Sequence, residues 1–253
     1  MITSEEIFSV LLIVSAPFLG SYVSTVMIKT EQEQSILNPA FSTCSNCGHQ
    51  ILLIHKIPIL SYIILKGACY RCKTPISWTY ITLEAGFLIS SISAMLALFN
   101  QTFDKIFFAI ILAWTFLPLS IFDVQKQRLP DLATIPIACA ALLQGYFLPY
   151  ITFIDCLFGF ILGFVLSATV SIAYSKIRGQ IGLGWGDVKL IAAVGALIGW
   201  QFVPWFIFLA SISALIYVIL QIIIRGKQAG RERIPFGPFL CGSSWLVWLY
   251  SIF

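Results

Sequence analysis

Eight apolar runs, each bounded by charged or turn-forming residues, dominate this chain and leave few folds open to it. They lie near residues 7–28, 80–99, 106–122, 132–149, 151–175, 188–204, 206–224 and 236–253. A helix needs roughly 20 apolar residues to cross the hydrocarbon core of a bilayer, and the alternating polarity of a membrane barrel is missing. The composition agrees: of 253 residues, 59% are hydrophobic and 10% charged, too few polar side chains to coat a soluble globule. The expected fold is an all-α polytopic membrane protein of about eight transmembrane helices. In "GWQFVPWF", Pro204 and its aromatic neighbours mark a tight interfacial turn between two helices, with one long kinked helix as the alternative.

The first run is preceded by acids rather than lysines and ends without a small-residue cleavage site. It therefore reads as a first span within residues 1–29, not as a removable signal peptide. Alternating spans assign every lysine and arginine to one side, and of the 15 in the chain only Lys105 falls opposite the rest. Cytoplasmic segments hold the excess of such residues, so both termini are expected to face away from the cytoplasm. The net charge of +4 then reflects topology, and nucleic acid is not expected as a partner. Residues 30–79 form the one long polar excursion, a small cytoplasmic domain between spans one and two. Residues 80–253 make a seven-helix bundle, and no repeat or second soluble module is visible.

Four of the 7 cysteines fall in the excursion, as "CSNC" (Cys44, Cys47) and "CYRC" (Cys69, Cys72). Paired C-x-x-C turns at this separation suit one tetrahedral zinc ion. Disulfides are disfavoured on the reducing side of the membrane. A site closed by four thiolates keeps no open position for chemistry, so its expected role is structural. Cys139, Cys156 and Cys241 are expected to be small buried residues, and His49 a satisfied or solvated side chain rather than a fifth ligand. With only 2 histidines, a zinc protease of the H-E-x-x-H type or a histidine triad is disfavoured.

Two further stretches carry chemistry. In "IFDVQKQRLPDLATIP" span three ends at Asp123 and span four begins around Pro130 and Asp131. In "GLGWGDVKL" Asp187 opens span six. The topology puts both carboxylates at one depth on the cytoplasmic side, where they can meet although far apart in sequence. Two carboxyls in a low-dielectric site share a proton and titrate as a pair, the condition for aspartic protease chemistry. The bland alternative is that Asp187 caps its helix and Asp123 is an ordinary interfacial acid. Glycines at 182, 184 and 186 let backbone bend and approach a peptide closely. Gly184, Gly186, Lys189 and Asp131 are taken as supporting residues, with Lys189 off the Asp187 face and free to snorkel outward. "RIPFGPFL" predicts an irregular start to span eight, and Glu84, one turn inside span two, predicts a buried partner or a site.

Together "GSYV", the two cysteine pairs, "IPILSYIILKGAC", "DVQKQRLPD", "GLGWGDVKL" and "IPFGPFL" resemble the type IV prepilin peptidases over nearly the whole chain. The resemblance implies a bifunctional enzyme with Asp123 and Asp187 as the catalytic pair. It implies cleavage of prepilins or pseudopilins after the glycine that ends a short basic leader, at the cytoplasmic face of the bacterial inner membrane. It also implies N-methylation of the new first residue by S-adenosylmethionine, with residues 30–79 associated with methyl transfer and Glu84 in the cofactor region. Pilus or secretion assembly machinery would be partners. Ser24 and Lys29 stand where many members carry asparagine and arginine, and no Rossmann glycine fingerprint is present. Two other classes are weighed against it: a transporter using Asp123 and Asp187 as carriers, and a non-catalytic pilus-assembly scaffold.

Overall fold

The computed structural model of the chain describes residues 4–31, 43–44, 46–127, 129, 131–147, 151–180, 182–226 and 234–252. Residues 32–42 of the expected cytoplasmic domain lie outside these, as do Arg128, Lys227, Arg231 and Arg233 of the orientation count and the side chain of Asp131. Among the described residues the chain is helical, with two isolated β-bridges in place of strands.

Five helices are long and apolar enough to cross a membrane. They are α1 (Ser4–Glu31), α3 (Trp78–Ala97), α4 (Phe103–Lys126), α6 (Phe153–Arg178) and α8 (Val203–Arg225). Three more apolar helices are shorter: α5 (Asp131–Phe147), α7 (Trp185–Ile198) and α9 (Gly237–Ser251), of 17, 14 and 15 residues. The short α2 (Leu60–Ile64) lies in the polar excursion, after a 3-10 turn at Leu53–Lys56. Each apolar run of the sequence coincides with a helix, and the doubtful pair at Pro204 resolves into two. Gly199, at φ +80°, ends α7, and proline in the first turn of α8 costs no hydrogen bond there.

The chain divides into two compact units at Pro118, inside α4. In the first, α1 packs on α3, because Gly20 brings its backbone against the carbonyl of Leu83; a Cβ there would sit 2.7 Å from that oxygen. The side chain of Ser77 caps α3 by accepting from the N–H of Thr79. Trp114 of α4 stacks on Phe87 of α3 and donates its indole N–H to Ser91 Oγ at 3.0 Å.

In the second unit α7 is the axis. Every residue from Leu190 to Ile198 is buried, as is Val188, so this helix is apolar on all faces because it is surrounded on all faces. Helix α6 reaches it at backbone contact, since Gly159 lies against the Gly195 carbonyl and Gly163 against that of Ile191. The polar atoms at the end of α7 are satisfied through Gln144 of α5. Its amide donates to the Leu197 carbonyl at 3.1 Å and accepts from the Trp248 indole at 2.9 Å. Among the described residues no buried side-chain nitrogen or oxygen lacks a partner.

Cys156 and Cys241 are buried as expected, but Cys139 on α5 is exposed. An apolar sequence context in a membrane chain marks an exposed residue as readily as a buried one, and Cys139 is of the first kind.

Candidate active site and metal centre

Each C-x-x-C pair of the first unit sits on the same backbone turn. The N–H of Cys44 donates to the His49 carbonyl, and the N–H of Gly48 to that of Cys44. The N–H of Cys69 donates to Thr74 and that of Lys73 to Cys69 in the same register. The left-handed residue that closes each turn is Gly48 (φ +65°) in one and Lys73 (φ +59°) in the other. The four sulfurs lie within 4.8 Å of one another, and Cys44 Sγ and Cys72 Sγ are 3.8 Å apart. A tetrahedral zinc with sulfurs at about 2.3 Å has edges of about 3.8 Å, so this group fits such an ion.

The electrostatics agree. The Thr74 hydroxyl, 3.1 Å from Cys72 Sγ, together with the Thr74 N–H, brings the Cys72 thiol down to about 5. Cys47 is pulled down by the backbone of His49, but desolvation and the neighbouring thiols outweigh this and push it up to about 11. Four thiolates cannot share this space without a cation among them. His49 directs Nδ1 toward Arg71 at 3.5 Å, which accounts for it without a fifth ligand.

Glu84 is buried, as its place in an apolar run predicted, and its partners are local to the first unit. Its Oε2 accepts the N–H of Ile59 at 2.6 Å, and the Ser21 hydroxyl bonds to it as well.

The two other acids belong to the second unit. Asp123 is three residues from the end of α4 and is 4% exposed. Its Oδ2 accepts the N–H of Gly237 at 2.7 Å. Gly237 is the first residue of α9, where helical N–H groups have no partner within the helix, and an anion is favoured there by the helix dipole. The irregular segment before it, residues 234–236, is the non-helical start predicted for "RIPFGPFL".

Asp187 occupies the third position of α7 and reaches back toward the N–H of Gly184, the N-cap. That is the carboxylate half of a capping box, so the bland role foreseen for Asp187 is real. It does not exhaust the residue, because Asp187 also lies within Coulombic reach of Asp123, and the buried thiol of Cys241 on α9 feels both. The fold thus gathers the last turn of α4 and the first turns of α7 and α9 around two carboxyls.

The glycines divide by task. A Cβ on Gly186 would fall 2.9 Å from Leu129 Cβ, so this glycine admits the link between α4 and α5 over the start of α7. Gly184 abuts Asp187 itself, and Gly182 lies against the ring of Tyr174. Lys189 is exposed between the buried Val188 and Leu190, consistent with its place off the Asp187 face. Gly237 was read from sequence only as part of the irregular, proline-flanked entry to span eight, and its contact with Asp123 was not foreseen.

Five helices long and apolar enough to cross a membrane, a four-cysteine group in the first unit and two acids within Coulombic reach of each other in the second describe a multi-pass membrane protein. Residues 14–98 match the model of the bacterial peptidase A24 N-terminal domain, and residues 110–219 that of the type IV leader peptidase family. A prepilin leader peptidase/N-methyltransferase of Dichelobacter nodosus is 33% identical over 87% of this chain and 74% of its own length. Those of Pseudomonas aeruginosa and Aeromonas salmonicida are each 32% identical, over 88% and 83% of this chain and 77% and 71% of their own. The chain belongs to the prepilin leader peptidase/N-methyltransferase family. No solved structure matches it.

Proposed function

We propose that this enzyme cuts the short basic leader of type IV prepilins or pseudopilins after its terminal glycine, using Asp123 and Asp187 as an acid–base pair. The observation that carries the reading is their convergence: two acids on different helices share one electrostatic site in the second unit. One carboxylate takes a proton from water as the oxygen attacks the peptide carbonyl. The other carboxyl, protonated, gives its proton to the carbonyl oxygen; the first then passes the proton it took from water to the leaving nitrogen as the carbon–nitrogen bond breaks, and a hydroxyl proton of the adduct returns to the second. Gly184 and Gly186 let the start of α7 close on Asp187 and Leu129 and so shape the site, with Lys189 and Asp131 as supporting residues at the same end.

The lysine and arginine distribution supports a site at the cytoplasmic face of the bacterial inner membrane, on the reading that α1 and α3 to α9 are eight spans. Helix α7 is about 21 Å long at 1.5 Å per residue, shorter than a hydrocarbon core of about 30 Å. On this reading its first turn, carrying Asp187, lies below the cytoplasmic surface of the bilayer. The four cysteines hold zinc structurally, and the same enzyme methylates the new N-terminal residue from S-adenosylmethionine before pilus or secretion assembly.

Asp123→Ala and Asp187→Ala, each in zinc-loaded protein, test the cleavage role on a purified prepilin. Loss of cleavage in both is expected. Undiminished cleavage by either removes the acid–base assignment, and pilus assembly retained in both variants would favour a scaffold. Mass spectrometry of the product, with and without S-adenosylmethionine, reads cleavage position and methylation together.

A further inference from the structure

The polar excursion of the first unit carries an apolar lobe. Leu53 and Ile54 of the 3-10 turn are 83% and 65% exposed, Ile63 and Ile64 of α2 are 63% and 60% exposed, and Leu52 and Leu60 are exposed beside them. A contiguous apolar surface of this kind marks an interaction site. A γ-turn at Ile59 (φ +63°, ψ −56°), closed by the Leu60 N–H on the Pro58 carbonyl at 2.6 Å, folds the 3-10 turn and α2 against each other. The other side of the lobe is packed: Pro58, Ser61, Tyr62 and Leu65 line a cavity of about 640 Å3 shared with α1 and α3. The lobe thus has an inner side turned to its own unit and an outer apolar side left open among the described residues.

Depth identifies what covers that side. Helix α3 has 20 residues, about 30 Å at 1.5 Å per residue, the thickness of a hydrocarbon core. Glu84 is its seventh residue, about 9 Å in from Trp78, and its Oε2 accepts the Ile59 N–H at 2.6 Å. That bond holds the lobe alongside α3, below the helix end rather than beyond it. Apolar elements lying in the membrane plane sit about 5–10 Å into the boundary of headgroups and acyl chains, which is the same depth. The N–H groups of His55, Leu60, Ser61, Ile63 and Leu65 all donate within the segment, as backbone at membrane depth requires. Charge agrees, because no acid stands between Glu33 and Glu84, and Lys66, Arg71 and Lys73 are exposed just after the lobe. Basic residues next to a span are drawn to anionic lipid.

We infer that residues 52–64 insert into the leaflet at the start of α3, with the outer side chains among the acyl chains and Lys66, Arg71 and Lys73 on anionic headgroups. The partner is the bilayer itself, and the contact requires only that α1 and α3 cross it, independently of cleavage and methyl transfer. The second cysteine turn is tied to this anchor: the Gly67 N–H donates to the Tyr62 carbonyl of α2, and the Gly67 carbonyl accepts the Ile76 N–H at 2.7 Å. Insertion of the lobe therefore fixes the height of the four-cysteine group at the membrane surface.

Photo-crosslinking of the full-length, zinc-loaded enzyme in lipid nanodiscs tests this, with a benzophenone residue placed at Leu53 or at Ile64. Ile89, exposed midway along α3, serves as the lipid-facing control position. Both lobe positions should give lipid adducts by mass spectrometry, at a yield comparable to that at Ile89. In discs containing a minor fraction of anionic lipid, adducts at the lobe should be enriched in that lipid at least about twofold over those at Ile89, and Lys66→Gln should lower the enrichment. Lipid adducts at Ile89 with none at Leu53 or Ile64 would overturn the insertion. Adducts at the lobe to an added prepilin in place of lipid would make the face a substrate surface and overturn the lipid assignment. Lipid adducts without enrichment would overturn the headgroup contacts alone. No lipid adduct at any of the three positions would overturn the span of α3 together with the lobe.

Discussion

Gly237 donates its backbone N–H to Asp123 Oδ2 at 2.7 Å, joining the first residue of α9 to an acid 114 positions earlier in the chain. A Cβ at this position would lie 2.7 Å from the same oxygen and 2.8 Å from Asp123 Cβ. Only glycine lets the helix start approach the carboxylate so closely.

Gly237→Ala is accordingly expected to displace the Asp123 carboxyl and lower kcat for prepilin cleavage by about 100-fold, the scale of a displacement near 1 Å in a catalytic group. Zinc content should remain that of the wild type. Single-turnover cleavage is the measurement, and a rate within about twofold of wild type would exclude a positioning role for Gly237.

Gly186→Ala forces a methyl against Leu129, 2.9 Å from its Cβ and 3.1 Å from its carbonyl oxygen. Overpacking of this kind costs about 1–3 kcal/mol, read as a lowered thermal midpoint in detergent. Leu129→Gly should couple to it, because it removes the Cβ nearest the new methyl and leaves only the backbone contacts. Simple additivity in the double-mutant cycle would show that the two residues do not interact.

Zinc release should depend on pH through Cys72. Its pKa is lowered, so the thiolate persists above about 5, and its contribution is lost as pH falls through that value. Thr74→Ala removes the hydroxyl 3.1 Å from the sulfur, which returns the thiol toward its ordinary range. The midpoint of acid-induced zinc release, followed with a chromogenic chelator, should move to higher pH. An unchanged midpoint would assign the low value to the backbone alone.

Gly159→Ala should be the most damaging single methyl in the second unit, because it would overlap the Gly195 carbonyl. Pushing α6 off α7 moves the helix that carries Asp187, so detergent stability and cleavage should fall together. Normal cleavage with lowered stability would show that α7 holds its place without α6.

Much of the fold was legible because a bilayer imposes a simple rule: long apolar runs must be helices, whose backbone bonds are internal. That rule located α3, α4 and α8 within a few residues and marked an interfacial turn at Pro204, which the structure places in the first turn of α8. The metal centre was legible because the spacing of Cys44, Cys47, Cys69 and Cys72 encodes paired turns locally. Cys139 was misread because apolar neighbours do not distinguish lipid from protein. The cavity around Glu84 was invisible, since it forms only where α1, the turn at Pro58 and α3 come together.

The sequence by itself determined the membrane class, the helical elements and the four-cysteine turns, all properties of short contiguous segments. It also put Asp123 and Asp187 at one depth, because alternating spans count only ends. Tertiary structure decided what lies laterally around each group: Gly237 on Asp123, Leu129 on Gly186, Ile59 on Glu84. Depth in a bilayer is one coordinate, fixed by hydropathy. The remaining two are set by helix packing, where close approach at Gly20, Gly159 and Gly195 selects each helix's neighbours.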